Sequence, residues 1–150
     1  MRRLAALLLC VLPVAGVLAG SAGYVRLPGG SFRTALKYED RKAGTVRIAP
    51  FALMKRPVTN AEFLAFVQRH PQWRRDRVAR TLADARYLGQ WKAPTVLASP
   101  SQAQQPVTQV SWFAADAYCQ AEGARLPTWS EWEYAAAADE TRTDARRDPA

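Results

Sequence analysis

Cysteine and histidine, the side chains that most often act as nucleophiles or metal ligands, are scarce in this 150-residue sequence. They are limited to Cys10, Cys119 and His70. A structural zinc site needs a larger set of such ligands at close spacing, so the sequence predicts no zinc site. His70 precedes Pro71 at the end of a predicted helix, which favours a role in capping or at the surface over metal binding.

A second candidate for chemistry is the segment at residues 123–135, which places two carboxylates beside two tryptophans. Thr128 and Glu131 match a capping box, in which each side chain bonds the backbone N–H of the other residue. The segment holds no nucleophile beside a general base and no cluster of metal ligands. It is therefore interpreted as scaffold rather than as a catalytic centre.

The tryptophans are expected to belong to that scaffold. Trp112 and Trp132 are predicted to bury large areas and to organise the core. In the last helix, Trp129, Trp132, Ala135 and Ala136 follow helical spacing and are predicted to form its apolar face.

The elements that position these residues are three helices, one further helical piece and several short strands, with a long proline-containing loop between them. Capping boxes at Thr59 with Glu62, and at Thr128 with Glu131, mark two helix starts. The extended segments are predicted at 24–27, 31–33 and 45–53, the turn at 28–30, the helices at 60–69, 76–87, 112–122 and after Pro127, and the loop at 93–109.

An apolar run follows the short cationic start of the chain. Its length, its interruptions and the small residues after it predict a secretory signal peptide over residues 1–22, cleaved after Ala19 or Ala22. An uncleaved membrane anchor is the alternative. The protein is therefore expected to be periplasmic or secreted, with residues 23–150 as the mature domain.

Cleavage there would remove Cys10 and leave Cys119 as the one cysteine in an oxidising compartment, where thiols tend to pair. An odd cysteine suggests a partner outside the visible chain or a free thiol. A third interpretation is a small buried apolar side chain on a helix.

Basic residues are concentrated between positions 69 and 92, where three aromatic residues lie among them. Charge alone determines steering and solubility rather than a ligand, so a solvated face or a docking surface for an acidic partner is favoured over a nucleic-acid site. No nucleic-acid partner is expected. This basic stretch consists of Arg69, Arg74, Arg75, Arg77, Arg80, Arg86 and Lys92.

Several ordered motifs resemble the formylglycine-generating enzyme family, also called sulfatase-modifying factors. They include an opening strand and turn, a first helix and the family's central signature. The resemblance covers nearly all of residues 23–150, which match the N-terminal portion of the family's domain. The matching stretches are 24–32, 57–67, 106–112, 117–119, 125–128 and 131–135.

The resemblance implies an α+β fold related to C-type lectins, with little regular secondary structure and incomplete in this chain. It also implies copper and calcium as cofactors. The copper-binding cysteines of the family, and most of its calcium ligands, belong to the later part of the domain. No catalytic, cofactor-binding or metal-binding residue is therefore placed on this chain. Cys119 matches a position that is a structural disulfide partner in some members.

Three functions are compatible with this resemblance. The first is an exported oxidoreductase that converts a cysteine of a sulfatase-type substrate into formylglycine, with its catalytic thiols outside this stretch. The second is a non-catalytic binding or maturation module for a periplasmic enzyme, for example one associated with nitrite reductase. The third is a truncated, inactive fragment. The expected partner is a protein or peptide, such as a sulfatase or another periplasmic enzyme, and the membrane is contacted only through an uncleaved signal segment.

Overall fold

The computed structural model describes residues 8–13, 23–34 and 44–137. These ranges contain five short strands and three helices, which gives an α+β composition as expected. In this part of the chain, no helix combines the length and the apolar character that a membrane crossing requires. The elements are β1 (Val11–Pro13), β2 (Tyr24–Leu27), β3 (Gly30–Arg33), β4 (Thr45–Ile48), β5 (Phe51–Met54), α1 (Asn60–Arg69), α2 (Trp112–Ala121) and α3 (Trp129–Ala137).

The chain divides into two compact units. Among the described residues, the helical unit consists of residues 8–10 and 54–126 and contains α1 and α2. The strand unit consists of the remaining described residues and contains the two sheets and α3.

Two small sheets form the strand unit. In the first, β5 lies between β1 and β2, and Val11 of β1 faces Leu53 of β5 in antiparallel register. In the second, β3 and β4 are antiparallel, and Phe32 faces Val46. The extended stretch predicted over residues 45–53 is confirmed and consists of two strands, β4 and β5.

A glycine turn joins β2 to β3, as the sequence predicts. Gly29 has a φ of +69°, a left-handed conformation that glycine adopts without steric cost. A Cβ atom at this position would also collide with the backbone carbonyl of Ile48. The turn therefore needs glycine both for its backbone conformation and for space.

Helix α1 begins and ends where its local signals predict. Thr59 is the N-cap, and the reciprocal bonds of its capping box with Glu62 are both present. His70 is the C-cap, and its backbone N–H donates to the carbonyl of Phe66 at 2.8 Å. The capping role predicted for His70 is confirmed.

The core of the helical unit is aromatic. Phe63 of α1 stacks on Tyr118 of α2 at a centroid distance of 5.7 Å, and Phe66 meets the same ring edge-on at 5.4 Å. The predicted buried stripe of α2 is confirmed, because Ala115, Tyr118 and Cys119 are all buried. The most deeply buried apolar side chains around them are Val58, Val67, Leu88, Trp91 and Val107.

The helical piece predicted over residues 76–87 is wrong, because these residues form successive turns. Asp84 accepts a hydrogen bond from the backbone N–H of Arg86 at 2.8 Å, a local bond that competes with helical bonding. Leu88 then has a φ of +48°, outside the helical region.

The loop predicted over residues 93–109 is confirmed apart from one 3-10 turn at Pro100–Gln102. Within this loop, the backbones of Ala93 and Val96 form an isolated bridge. The segment is therefore irregular but ordered by its own hydrogen bonds.

Candidate functional site

Asn60 is the main buried polar side chain of the helical unit, with only 1% of its surface exposed. Its amide hydrogens are shared among the carbonyl oxygens of Gln105 at 2.9 Å, Gln102 at 3.1 Å and Pro106 at 3.2 Å. Its Oδ1 accepts a hydrogen bond from Nε1 of Trp91 at 2.8 Å. A buried amide that is fully bonded fixes its surroundings, so Asn60 anchors the long loop to the start of α1.

Glu62 is the most strongly perturbed carboxylate near this anchor. The guanidinium of Arg56 donates two hydrogen bonds to it, at 2.6 and 2.9 Å, and the backbone N–H of Thr59 donates a third at 2.8 Å. The bonds from Arg56, opposed by partial burial and assisted by Thr59, lower the pKa of Glu62 to about 2. A carboxylate with so low a pKa is a poor general base, so Glu62 has a structural role.

Much of the basic stretch is engaged in internal contacts. Arg74 binds Asp76 through two bonds at 2.7 and 3.0 Å. Arg75 donates to the carbonyl oxygens of Leu88 and Trp91 at 3.1 and 3.0 Å. These arginines hold the turns of residues 74–92 in place. The concentration of positive charge in the sequence did not predict this structural role.

Fewer basic side chains of the stretch lack an acidic partner than the sequence implies. Arg69 lies 3.4 Å from Glu122, in an ion pair whose side chains are both exposed. Within the described ranges, Arg77, Arg80 and Lys92 have no acidic partner. A surface that binds an acidic partner would depend on these three residues.

An open cavity of about 510 Å³ lies beside the basic stretch. Its charged lining is mixed and contains Arg75, Arg80 and Asp84. Burial raises the pKa of the Tyr87 phenol, which also lines the cavity and donates to the carbonyl of Trp73 at 2.8 Å. The cavity lining contains no nucleophile next to a general base, so its chemistry suits binding rather than catalysis.

In the strand unit, the carboxylates of α3 are structural. The predicted capping box is confirmed, since the Thr128 N–H donates to Glu131 at 2.7 Å and the Glu131 N–H donates to the Thr128 hydroxyl at 3.2 Å. Glu133 accepts a hydrogen bond from the Thr34 hydroxyl at 2.6 Å. Both carboxylates of the 123–135 segment therefore position α3, as the scaffold interpretation expects.

The tryptophans lie elsewhere than expected. Trp112 is 65% exposed and Trp132 is 40% exposed, so the prediction that they organise the core is wrong. Trp129 is also exposed, at 62%. A large apolar side chain is buried only where other parts of the chain cover it, and the described residues do not cover these three rings.

The two cysteines are joined to each other. Cys10 and Cys119 form a disulfide bond across 109 positions, and both are fully buried. The alternatives of a free thiol, an outside partner or a simple buried side chain for Cys119 are therefore wrong in this structure. Cys119 is therefore a disulfide partner in this structure, and its partner is Cys10.

The signal peptide predicted over residues 1–22 stays a prediction. Its cleavage sites lie outside the described residues, but residues 8–13 are described and carry β1 and Cys10. Cleavage after Ala19 or Ala22 would cut the backbone that connects both to the rest of the chain.

The described residues do not fit the copper and calcium that the resemblance implies. The disulfide leaves neither Cys10 nor Cys119 as a thiolate, the ligand that favours Cu(I). Across residues 8–13, 23–34 and 44–137, no group of three or more His, Cys, Asp or Glu side chains could hold a metal ion. No metal-dependent step is assigned to these residues.

Most of the chain matches one protein family. A family described as the sulfatase-modifying factor enzyme 1-like domain matches residues 18–146, which is most of the chain. The chain belongs to this family. The resemblance recognised from the sequence motifs is confirmed.

Curated relatives of this sulfatase-modifying factor domain differ in their activities. A formylglycine-generating enzyme of Streptomyces coelicolor is 33% identical over 146 residues, covering 76% of this chain and 46% of the relative. The inactive C-alpha-formylglycine-generating enzyme 2 of Mus musculus is 32% identical and covers 75% of this chain and 46% of the relative. A hercynine oxygenase of Mycobacterium tuberculosis is 33% identical and covers 73% of this chain and 29% of the relative.

The chain therefore spans about half the length, or less, of the curated relatives it matches. Active and inactive relatives resemble it to the same degree, so membership of the sulfatase-modifying factor family does not determine its activity.

Two structural residues were not recognised from the sequence. Asn60 follows the N-cap of α1, and no local pattern indicates that its side chain bonds a distant loop. Cys10 was assigned to the signal segment, although the even number of cysteines in the whole sequence was a signal for pairing.

Proposed function

We propose that this chain is the N-terminal portion of an exported formylglycine-generating-type oxidoreductase. Such an enzyme would oxidise a cysteine of a sulfatase-type protein substrate to formylglycine with molecular oxygen and a thiol reductant. One oxygen atom would enter the aldehyde, the cysteine sulfur would leave as sulfide, and the second oxygen atom would leave as water at the expense of two thiols that become a disulfide. The observation that carries the proposal is the family match over residues 18–146. Relatives named formylglycine-generating enzyme, at 33% and 32% identity, support it further.

In this proposal the chain supplies scaffold, and the reactive thiols lie outside it. The disulfide between Cys10 and Cys119 supports that division, because it leaves neither sulfur as a thiolate. The Asn60 anchor and the two capping boxes would hold the framework on which the rest of the domain is built.

The complete domain is proposed to have a C-type-lectin-like fold. Short antiparallel strands, three helices and a long ordered loop are consistent with a fold of low regular content. A structure of the full-length gene product whose sheets and helices matched another α+β fold would contradict this.

Export to the periplasm or the medium is part of the proposal. The apolar run near the start of the chain supports it, and so does the disulfide, because such bonds persist in oxidising compartments. Fractionation of the native host, with the protein detected by antibody, tests this. Recovery of the protein in the cytoplasmic fraction would contradict export.

The activity is tested with the full-length gene product, copper, oxygen, a thiol reductant and a peptide that carries the sulfatase cysteine motif. Mass spectrometry is expected to show loss of the thiol and gain of an aldehyde. A peptide with serine in place of that cysteine is the control and should not change. An unchanged cysteine peptide, with the folded and copper-treated gene product, would contradict the proposal.

A second candidate function is a non-catalytic maturation module. The relatives of mouse and cattle that are named inactive favour it, together with the uncommitted basic residues of the helical unit. The probe is a purified periplasmic nitrite reductase of the host. Salt-sensitive binding that is weakened by Arg77→Glu with Arg80→Glu, and not by the control Arg47→Glu, would support it. Undetectable binding at low salt would contradict this assignment.

A further inference from the structure

The open cavity of the helical unit is formed by a single short stretch of turns. Its volume is about 510 Å³, and all of its lining residues lie between Arg75 and Tyr87. Ligand-binding pockets have volumes of roughly 300 to 1,000 Å³, so the cavity is large enough for a small organic ligand. Two of its lining side chains are Arg75 and Arg80, and we call this space the arginine cavity.

Arg75 is held in one orientation while part of its guanidinium remains unused. Its Nη1 donates to the carbonyl oxygens of Leu88 and Trp91 at 3.1 and 3.0 Å. Its Nη2 donates to the carbonyl oxygen of Lys92 at 3.4 Å. A guanidinium has five N–H donors, so one donor on Nε and one on Nη2 remain, and no described residue accepts from them. These two donors share the edge of the group that can bind a carboxylate through two parallel hydrogen bonds.

The positive charge of the arginine cavity is not neutralised by acidic side chains of its own unit. Arg75 is half-buried, and neither Arg75 nor Arg80 forms an ion pair with a described residue. Residues 1–7 of the same unit, outside the described ranges, contain no Asp or Glu. Because a charge that is partly removed from water is stabilised by an opposite charge, the cavity favours an anion.

Asp84 limits the charge that this anion can carry. Asp84 also lines the cavity, where it accepts a hydrogen bond from the backbone N–H of Arg86 at 2.8 Å and lies 3.9 Å from the guanidinium of the same residue. A carboxylate in the cavity wall repels a doubly charged ligand more strongly than a singly charged one. The cavity therefore favours a monoanion such as a carboxylate over a doubly charged phosphate.

The remaining walls of the arginine cavity are apolar. They consist of Val78, Ala83, Ala85 and the ring of Tyr87. Burial raises the pKa of the Tyr87 phenol, so this ring is uncharged at neutral pH, and its hydroxyl already donates to the carbonyl of Trp73 at 2.8 Å. Walls of this kind stabilise an apolar group rather than a second polar one.

We infer that the arginine cavity binds a monocarboxylate with an apolar body, its carboxylate on the unused edge of Arg75 and its apolar body against Val78 and Tyr87. Arg80 adds a second positive charge to the site. A carboxylate of this chemistry occurs in small organic acids and at the C-terminus of peptides that end in an apolar residue. The inference does not depend on the proposed oxidation, so either can fail alone.

The probe is N-acetyl-phenylalanine, which joins a carboxylate to an aromatic ring, and its carboxamide is the matched control. Ligand-observed NMR titration of the full-length gene product at low salt measures the binding of each. The probe is expected to bind with a Kd of about 1 mM, as is typical of a ligand of its size. The carboxamide should bind at least about tenfold more weakly, because it cannot form the charge-assisted pair with Arg75.

Matched pairs of variants assign the binding to the cavity. Arg80→Gln removes a charge from the lining and should weaken binding of the probe about fivefold, whereas Arg77→Gln, outside the lining, should change it less than about twofold. Ala85→Asp adds a negative charge to the lining and should weaken binding about tenfold. Its control is Ala79→Asp, which is also at an exposed position but outside the lining and should have little effect.

Arg75→Lys tests the unused edge itself, because it keeps the charge but replaces the planar fork with a single ammonium group. It should weaken binding of the probe about fivefold. Circular dichroism and thermal unfolding check that the turns held by Arg75 are retained. If this variant does not fold, the variants at Arg80 and Ala85, which lie at exposed positions, still decide the outcome.

Two further ligands distinguish the sources of the carboxylate. 3-Phenylpropionate represents a small organic acid, and triglycyl-phenylalanine with a free carboxylate represents the C-terminus of a peptide. Tighter binding of either one supports the carboxylate site and assigns its source.

Undetectable binding of the probe at about 10 mM by the folded gene product would overturn the inference. Equal binding of the carboxamide would overturn it, and so would an equal loss of affinity in Arg77→Gln and Arg80→Gln. Displacement of the probe by an equal concentration of inorganic phosphate would indicate a general anion surface and would also overturn it. Loss of peptide oxidation with probe binding intact would count only against the proposed function.

Discussion

Helices α1 and α3 both begin with a capping box of Thr and Glu, but α1 buries its large apolar side chains whereas α3 exposes its tryptophans. In α1 the apolar residues Phe63 and Phe66 are at most 1% exposed. In α3 the largest apolar residue, Trp129, is 62% exposed although the cap geometry is equally complete. Capping fixes where a helix begins, whereas burial depends on what the rest of the chain supplies. The helical unit covers the large rings of its first helix, whereas the described residues of the strand unit leave Trp129 exposed.

The largest expected effect concerns the closure of the helical unit by its disulfide. Cys119→Ser in the full 150-residue chain should lower the free energy of unfolding by about 4.7 kcal/mol, the chain-entropy value for a closed loop of this size. Urea titration measures it. Cys10→Ser and reduced wild type should show the same loss, and the double variant should lose no more. A wild-type chain that is indifferent to reductant would refute the prediction.

The contrast between the two helices is tested directly by truncating one ring of each. Phe66→Ala in α1 should cost about 4 kcal/mol of unfolding free energy, because it leaves a cavity in a closed core. Trp129→Ala in α3 is the matched variant and should change stability by less than about 0.5 kcal/mol. Similar losses for the two variants in denaturant titration would remove the distinction.

The Asn60 anchor should be the next most sensitive position. Asn60→Ala leaves the Trp91 indole N–H and several loop carbonyl oxygens without their partner, at a cost of about 3 kcal/mol. Hydrogen exchange should also show faster exchange in residues 93–109. Gln104→Ala, an exposed residue of the same loop, is the control and should be nearly neutral.

In the strand unit, removal of one hydroxyl should have a smaller effect. Tyr134→Phe keeps the ring packing but removes the bond to the Gly29 carbonyl, so a loss of about 1 kcal/mol is expected. Amides of the turn between β2 and β3 should exchange faster. Faster exchange in α1 as well would show that the perturbation is not confined to the strand unit.

The smallest effect is the pH dependence contributed by Glu62. Its folded pKa, about 2, lies below the usual value of 4.5, so its stabilisation is present above pH 4.5 and is lost as the pH falls towards 2. Because Arg56 is well exposed, the loss should be no more than about 1 kcal/mol. Glu62→Gln should flatten this part of the stability profile measured by thermal unfolding. Gln104→Ala, which changes no titratable group, is the control and should leave the profile unchanged.

The features predictable from sequence were those determined by neighbouring residues. Both capping boxes, the end of α1 before Pro71 and the glycine turn involve partners within a few positions, and all are confirmed. Residues 76–87 form turns instead of the predicted helix because Asp84 bonds the backbone N–H of Arg86. The neighbouring Arg75 bonds carbonyl groups thirteen and sixteen residues away, and helical spacing in the sequence predicts neither kind of bond.

The prediction that Trp112 and Trp132 are buried was wrong for a different reason. A ranking of side chains by size and apolarity assumes that enough chain is present to bury them, and for Trp112 and Trp132 the described residues do not provide it. The family assignment succeeded despite this, because motif order does not depend on burial.

The bond between Cys10 and Cys119 has a consequence for processing of the chain. A peptidase that cut after Ala19 or Ala22 once this bond had formed would sever the backbone without releasing the leader. The product would consist of two disulfide-linked chains that migrate as one species until a reductant separates them. Its mass before and after reduction would show whether the backbone was cut after the disulfide had formed.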